Sequence, residues 1–315
     1  MPTSLADTRR RAALLELLRT LERDGYDFVT ATPATHARVI GRPGREEAQT
    51  LRDVLGWSLP FRADAVPPPV LALLRAGEVL ERSADGRFKA TVRVSRVRGT
   101  LFLHSAYPTD AEDSVFLGPD SYRFADLITA RMGPARGMRI LDYGAGAGVG
   151  GIVAARMAAG AQLTLADVNA RALFLASINA EAAGVACTTV EAASPAVLTG
   201  PFDLIVANPP FIMDPDGRAY RDGGDLHGAQ LSLDWALASA GLLAPGGRLI
   251  LYTGVAIVAG EDALKAKLLP ALAAAGLDAD YRELDPDIFG EELEQPAYAD
   301  VERIAAVGLV ATRPA

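Results

Sequence analysis

The chain has 315 residues, half of them hydrophobic and 22% charged, with a net charge of −8. That length fits one large or two medium domains with a sizeable core, and the charge excludes a polycation. No apolar run reaches the roughly 18 residues of a membrane span. Glu16 and Arg19 interrupt the N-terminal apolar stretch where a signal peptide would be unbroken. The single Cys187 excludes an internal disulfide and suits a cytoplasmic home, and with three scattered histidines it argues against a metal cluster.

Charge is uneven along the chain: residues 1–130 hold 18 basic and 17 acidic side chains, the remainder 13 and 22. This suggests two regions with different surfaces and leaves nucleic acid open as a partner of the first. Residues 5–24 carry Leu14, Leu15, Leu17, Leu18 and Leu21 at helical spacing, ended by Asp24-Gly25. A second helix is expected over 46–55, stopping at Gly56, and a third over 67–77, with proline at its start and glycine at its stop. Asp85-Gly86 reads as a hairpin turn. Beyond it Phe88, Ala90, Val92 and Val94 alternate with Arg87, Lys89, Thr91, Arg93 and Ser95, which predicts a strand with one apolar and one basic face. Helices followed by a basic hairpin resemble a winged-helix module. The basic face is then either a solvated surface or a docking surface for RNA or the ribosome.

The polar, turn-rich stretch 106–120 marks a boundary between an N-terminal region, 1–114, and a second region, 115–315. From about residue 121 strands and helices alternate: strands near 139–144, 161–168, 185–192, 203–208 and 247–254, with a helix from Gln230. Alternation of this kind predicts a parallel sheet covered by helices on both faces. Residues 277–284 and 301–313 read as two strands without a helix between them, pairing antiparallel at a sheet edge.

The first strand of this second region runs into 140-ILDYGAGAGVGG-151. Gly144, Gly146 and Gly148 alternate between strand and helix, where a backbone must turn sharply and let a ligand approach. Asp167 ends the next strand, where a carboxylate can accept both hydroxyls of a ribose. The run from Gly146 to Gly151 also satisfies the G-x-G-x-x-G dinucleotide pattern. A nicotinamide-dependent oxidoreductase is therefore a rival on this loop alone. The fourth strand ends in 203-DLIVANPPF-211, facing the same crevice. A planar NH2 group is a poor nucleophile because its lone pair is delocalised. The Asn208 side-chain oxygen and the Pro209 carbonyl can each accept one of its N–H groups and favour the tetrahedral nitrogen. Pro209 and Pro210 fix those acceptors, and Phe211 offers a face for stacking.

With Asp142 ahead of the glycines, the stretch from Asp142 to Phe211 resembles class I S-adenosylmethionine-dependent N-methyltransferases that bear an Asn/Asp-Pro-Pro-aromatic motif. Among them are the release-factor glutamine methyltransferases and the rRNA guanine-N2 and RNA adenine-N6 methyltransferases, the "methyltransferase small domain" type. The resemblance covers roughly 115–312. It implies a Rossmann-like α/β fold with a seven-stranded sheet whose last strand is antiparallel; ahead of it, the helices and hairpin of residues 1–114 read as a mainly helical, winged-helix-like substrate-recruiting domain. It implies S-adenosylmethionine as cofactor, held by Asp142, Tyr143, Gly144, Gly146, Gly148, Asp167, Val168 and Asn208. Asn208, Pro209, Pro210 and Phe211 would be catalytic. The acid such enzymes place after the third strand is absent, because Ala193 and Ser194 stand there and Glu191 falls two residues early. Tyr122 and Arg123 are candidates for a wall closing over the cofactor. Tyr220 and Arg221, with His227, lie in a loop over 214–228 that reads either as a substrate flap or as a solvated loop, and 285–298 is expected to line the target cleft. The implied substrate is an exocyclic amine of an RNA base, rRNA or tRNA. A protein glutamine amide is the alternative, and a non-catalytic module of the same fold is the reading from outside enzymology.

Overall fold

The computed structural model describes residues 5–214 and 221–315. The N-terminal region begins with α1 (Leu5–Arg23), α2 (Pro33–Ile40), α3 (Leu51–Leu55) and α4 (Pro68–Ala76). Two hairpins follow, β1 (Leu80–Arg82) with β2 (Phe88–Ala90), and β3 (Val92–Val97) with β4 (Thr100–Ser105). The helix expected over 46–55 is confined to its second half, because a Thr50–Asp53 capping box starts α3 at Leu51.

The second region comprises α5 (Pro119–Met132), β5 (Ala135–Arg136), β6 (Arg139–Tyr143), α6 (Val149–Met157), β7 (Ala158–Ala159), β8 (Gln162–Asp167), α7 (Ala170–Ala182), β9 (Cys187–Glu191) and β10 (Phe202–Ala207). It continues with α8 (Gln230–Ala240), β11 (Leu243–Val258), β12 (Glu261–Asp262), α9 (Ala263–Ala274), β13 (Asp278–Asp285) and β14 (Arg303–Thr312). Its sheet has the order β13-β14-β11-β10-β6-β8-β9, and the two-residue β12 adds an eighth strand beside β11. β6, β8, β9, β10 and β11 are parallel, whereas β14 runs against both β11 and β13, so the sheet is mixed.

Alternation along the strands builds one apolar core on each face. Leu204 and Val206 of β10 join Ile140, Phe124 and Ile152 on the face of α5, α6 and α7. Ile205 and Ala207 join Leu141, Leu264 and Leu268 on the face of α8 and α9. The core of the N-terminal region, including Leu14, Leu17, Val94 and Phe102, is continuous with the first of these.

Of the expected basic face of the strand after Gly86, Arg93 and Ser95 are internal, whereas Arg87 and Arg98 stay at the surface in ion pairs. Arg93 is buried and donates to the Ser105 carbonyl at 3.0 Å. Ser95 is buried against Thr30 (2.6 Å) and His104 (2.8 Å). Arg96 lies against Glu22 and Asp27, Arg98 against Asp126 and Arg87 against Asp85. Period-two alternation locates a strand, but here Arg93 and Ser95 face a second packed layer in which internal hydrogen bonds satisfy them.

One buried amide ties the two regions together. Asn179 on α7 accepts from the Leu103 N–H (2.8 Å) and donates to the Leu103 carbonyl (3.0 Å) and to the Ala147 carbonyl (2.9 Å). Residue 147 lies in the glycine loop, so this side chain pins β4 to that loop. Truncation strands three buried backbone groups. Asn179→Ala is expected to lower unfolding free energy by about 2–4 kcal/mol, read from the urea midpoint at unchanged slope.

Candidate active site

β6 ends at Tyr143, and the chain turns through Gly144, Gly146 and Gly148 at φ of 67°, 52° and 81°, all left-handed. A Cβ on Gly144 would lie 2.5 Å from the Trp235 ring, so the loop is held against α8. Gly148 is the N-cap of α6. Two carboxylates organise the turn from behind. Asp142 accepts from the Gly151 N–H at 2.7 Å. Asp167 accepts from the N–H groups of Gly146 and Asn169, both at 2.8 Å. Burial pushes the Asp142 carboxyl up to about 8; the Asp167 charge adds to this and the Gly151 N–H opposes it. Burial also raises Asp167, against the Asn169, Gly146 and Val168 N–H groups.

A cavity lies over this loop. Asp142, Tyr143, Gly144, Gly146, Asp167, Val168, Asn208 and Pro210 line it together with Phe116, Ala192, Ala193 and Trp235. Gly148 lies beneath rather than on the wall, with Ile152 and Ala176 against it. Val168 presents an apolar side chain that is 55% exposed. Tyr143 packs edge-on against Trp235 at 4.5 Å, and its hydroxyl donates to the Ala192 carbonyl at 3.4 Å.

A second cavity adjoins the first. Phe116, Asn208 and Pro210 line both, and Pro209, Phe211, Ile212, Asp120, Arg221 and Phe289 complete the second with Pro33 and Thr109 of the N-terminal region. At the junction the Asn208 Oδ1 is buried and has no hydrogen-bond partner among the described residues. Phe211 packs edge-on to Phe289 at 5.7 Å and covers Gly254, where a Cβ would strike its ring at 2.3 Å.

Other expected residues lie elsewhere. Tyr122 and Arg123 line neither cavity: the Tyr122 hydroxyl accepts from the Thr30 N–H at 3.0 Å, and Arg123 donates to Asp285 at 2.9 Å. Arg221 is on the wall of the second cavity, held by Glu292 and by Asp214. His227 faces Asp300 at 3.1 Å and is not on either wall. Tyr220 falls outside the described residues. Of the segment 285–298, Phe289 reaches the second cavity.

Sequence reasoning missed Trp235, Phe116, Asp120, Pro33 and Thr109. Trp235 had no local signal, since its partner Gly144 is 91 residues away in the chain. Asp120 is buried and accepts from the Tyr252 hydroxyl at 2.6 Å, while the N-cap of α5 is Gly118, whose N–H donates to Ser121.

Residues 123–221 match the family model of the methyltransferase small domain. No curated protein matches the chain. Among solved structures, Trm5b from Pyrococcus abyssi is similar at 13% identity over 74% of this chain and 62% of that one, with a TM-score of 0.50, a likeness of fold. Others are the ribosomal protein L11 methylase from Lactobacillus delbrueckii subsp. bulgaricus (18%, 62% and 79%, TM-score 0.41) and RsmC, the T. Thermophilus 16S rRNA N2 G1207 methyltransferase in complex with AdoMet and guanosine (19%, 81% and 64%, TM-score 0.45). The chain spans less than two thirds of Trm5b and of RsmC. The sheet is thus Rossmann-like, and the cofactor that the sequence resemblance implies for it is S-adenosylmethionine.

The first cavity fits that cofactor. It offers carboxylates for its cationic amino-acid end and for its ribose, and the exposed Val168 for a flat apolar base. A cation beside Asp142 favours the ionised carboxylate, so binding near neutral pH expels a proton and tightens as pH rises. Calorimetric affinity is expected to increase between pH 6 and 8, and Asp142→Asn to remove that part of the slope. Gly144→Ala adds a Cβ against Trp235 at a left-handed φ, and is expected to weaken cofactor binding at least tenfold, on the order of 1.4 kcal/mol.

Proposed function

We propose that this chain, a class I S-adenosylmethionine-dependent methyltransferase of the small-domain type, methylates a planar NH2 group, an exocyclic amine of an RNA base. The observation that carries this reading is the buried, unpartnered Oδ1 of Asn208 where the two cavities meet. A buried acceptor without a donor costs about 1–3 kcal/mol. An NH2 group in the second cavity supplies the missing donor and is thereby aimed at the first.

When bound, the cofactor supplies an electrophilic methyl group on a cationic sulfur. The rest is positioning by this chain. Asn208 Oδ1 and the Pro209 carbonyl take one N–H each, which turns the nitrogen lone pair toward the first cavity and favours the positive nitrogen as it forms. Pro209 and Pro210 hold the backbone without a conformational search. Phe116, Phe211 and Phe289 give the second cavity aromatic walls suited to a flat acceptor. Excess proton is lost after transfer, and His227, bound to Asp300 away from both cavities, has no part in it.

The N-terminal region contributes Pro33 and Thr109 to the acceptor wall, which supports a role in substrate choice. A protein glutamine amide is a second reading. It is favoured by the internal position of Arg93 and by the carboxylate partners of Arg87, Arg96 and Arg98, which weaken the basic strand as a phosphate-docking face.

Asn208→Ala separates binding from chemistry. Calorimetric affinity for S-adenosylmethionine is expected to stay within a few-fold, while methyl transfer to RNA or protein from extract falls by at least ~100-fold. Undiminished transfer would refute the role of Asn208.

A further inference from the structure

One wall of the cofactor cavity belongs neither to the glycine loop nor to the sheet. Glu112, Ser114, Val115 and Phe116, from the connection between the two regions, line it. Residues 111–114 form a turn closed by the Ser114 N–H on the Ala111 carbonyl at 3.0 Å. The backbone of this turn is held on both sides. The Asn169 side-chain amide donates to the Asp113 carbonyl at 2.9 Å, and Arg171 meets the Asp113 carboxylate at 3.1 Å, which latches the turn to the start of α7. The Val115 N–H donates to the Ser105 hydroxyl at 2.8 Å and the Ser105 N–H to the Val115 carbonyl at 2.9 Å, which ties the other side to β4. Glu112 itself is exposed and has no hydrogen bond or ion pair among the described residues. Its backbone is fixed at the cavity, and its side chain is uncommitted.

We propose that Glu112 completes the cofactor site as the acceptor of the adenine amino group. This rests on S-adenosylmethionine as the cofactor and is independent of which amine is methylated. Elimination among the wall's acceptors carries it. Three residues bring carboxyl groups to the wall: Asp142, Asp167 and Glu112. Asp142 suits the cationic amino-acid end of the cofactor, and Asp167 the ribose. After the third strand of the sheet, β9, where an acid would meet the adenine, the wall has only Ala192 and Ala193. Asn169 is already spent, because its Oδ1 accepts from the Arg171 N–H at 2.9 Å and its Nδ2 holds Asp113. The adenine amino group is then left without a charged partner, and Glu112 without a donor. Their places agree. Asn169, the residue on which the turn is latched, directly follows Val168, whose exposed side chain offers the base an apolar face. A carboxylate accepting an N–H makes one of the stronger hydrogen bonds, and a site that lacks the acid in the sheet regains it from the connection.

The test reads binding rather than turnover. Calorimetric affinities of the wild-type chain and of Glu112→Ala are compared for S-adenosylhomocysteine and for its purine analogue, which lacks only the 6-amino group. The wild-type chain is expected to favour the adenine compound by at least ~10-fold. Glu112→Ala should bring that preference within ~3-fold by weakening the adenine compound alone, since the purine analogue has no amino group to lose. Glu112→Gln keeps an acceptor oxygen without the charge and should retain an intermediate preference. Adding Ala193→Glu to Glu112→Ala returns an acid to the end of the third strand and should restore discrimination.

Equal weakening of both compounds by Glu112→Ala would make the turn a packing element only. A preference that Glu112→Ala leaves intact would assign the amino group to another partner. Either result ends the proposal, as does a wild-type chain that binds both compounds alike. Failure of the wild-type chain to bind S-adenosylhomocysteine at all would sink the cofactor reading as well.

Discussion

The site exists because two strands distant in sequence lie side by side in one register. β6 and β10 are adjacent and parallel, with Leu204 opposite Ile140 and Ala207 opposite Tyr143. The next residue on each strand is the first of its motif, Gly144 on one and Asn208 on the other. From β6 the chain builds outward through β8 and β9 on one side, then returns to lay β10 on the other. Where the winding reverses, the loops leaving the two strands separate and open a crevice. Register is held by alternation, since a one-residue slip of β10 would exchange Leu204 and Val206 with Ile205 and Ala207 between two different cores. The apolar pattern of an ordinary buried strand therefore fixes where a catalytic amide stands.

What surrounds that crevice is drawn from the whole chain. Phe116 precedes α5 and lines both cavities, Trp235 comes from α8, and Phe289 comes from the connection between β13 and β14. Pro33 and Thr109 bring in the N-terminal region, which shares its core with α6 and α7 and is pinned to the glycine loop through Asn179. Strain introduced at β4 can thus reach the cofactor loop through one side chain. A recruiting module on a flexible tether would have no such coupling.

The parts legible in the sequence are those where backbone chemistry is demanding over a short span. Alternating glycines between strand and helix, and two prolines after an asparagine, constrain φ and hydrogen bonding locally, so Gly144, Gly146, Asn208 and Pro209 were readable without knowing any neighbour. Strand-helix alternation likewise gave the mixed α/β layering. Illegible were the residues whose meaning depends on a distant partner. Trp235 matters because Gly144 has no side chain, and Asp120 because Tyr252 and Arg123 meet it. The strand bearing Arg93 misled for a related reason. Alternation reports two faces, but not whether the second is water or the packed layer holding Ser95, Thr30 and His104.

The same dependence resolves the ambiguity of the glycine loop. The run from Gly146 to Gly151 satisfies the spacing of a dinucleotide fingerprint, and spacing alone permits a pyrophosphate at the start of α6. In such a site the free N–H groups of the helix N-terminus receive the anion. Here the Gly151 N–H is already taken by the Asp142 carboxylate at 2.7 Å, and the Gly146 N–H by Asp167 at 2.8 Å. A pyrophosphate would have to displace both carboxyl groups from these N–H groups, and its negative charge would oppose the ionisation of each. A ligand bearing positive charge and ribose hydroxyls meets the same two groups as partners. The glycines let the backbone turn, and the acids behind them decide which charge the turn accepts.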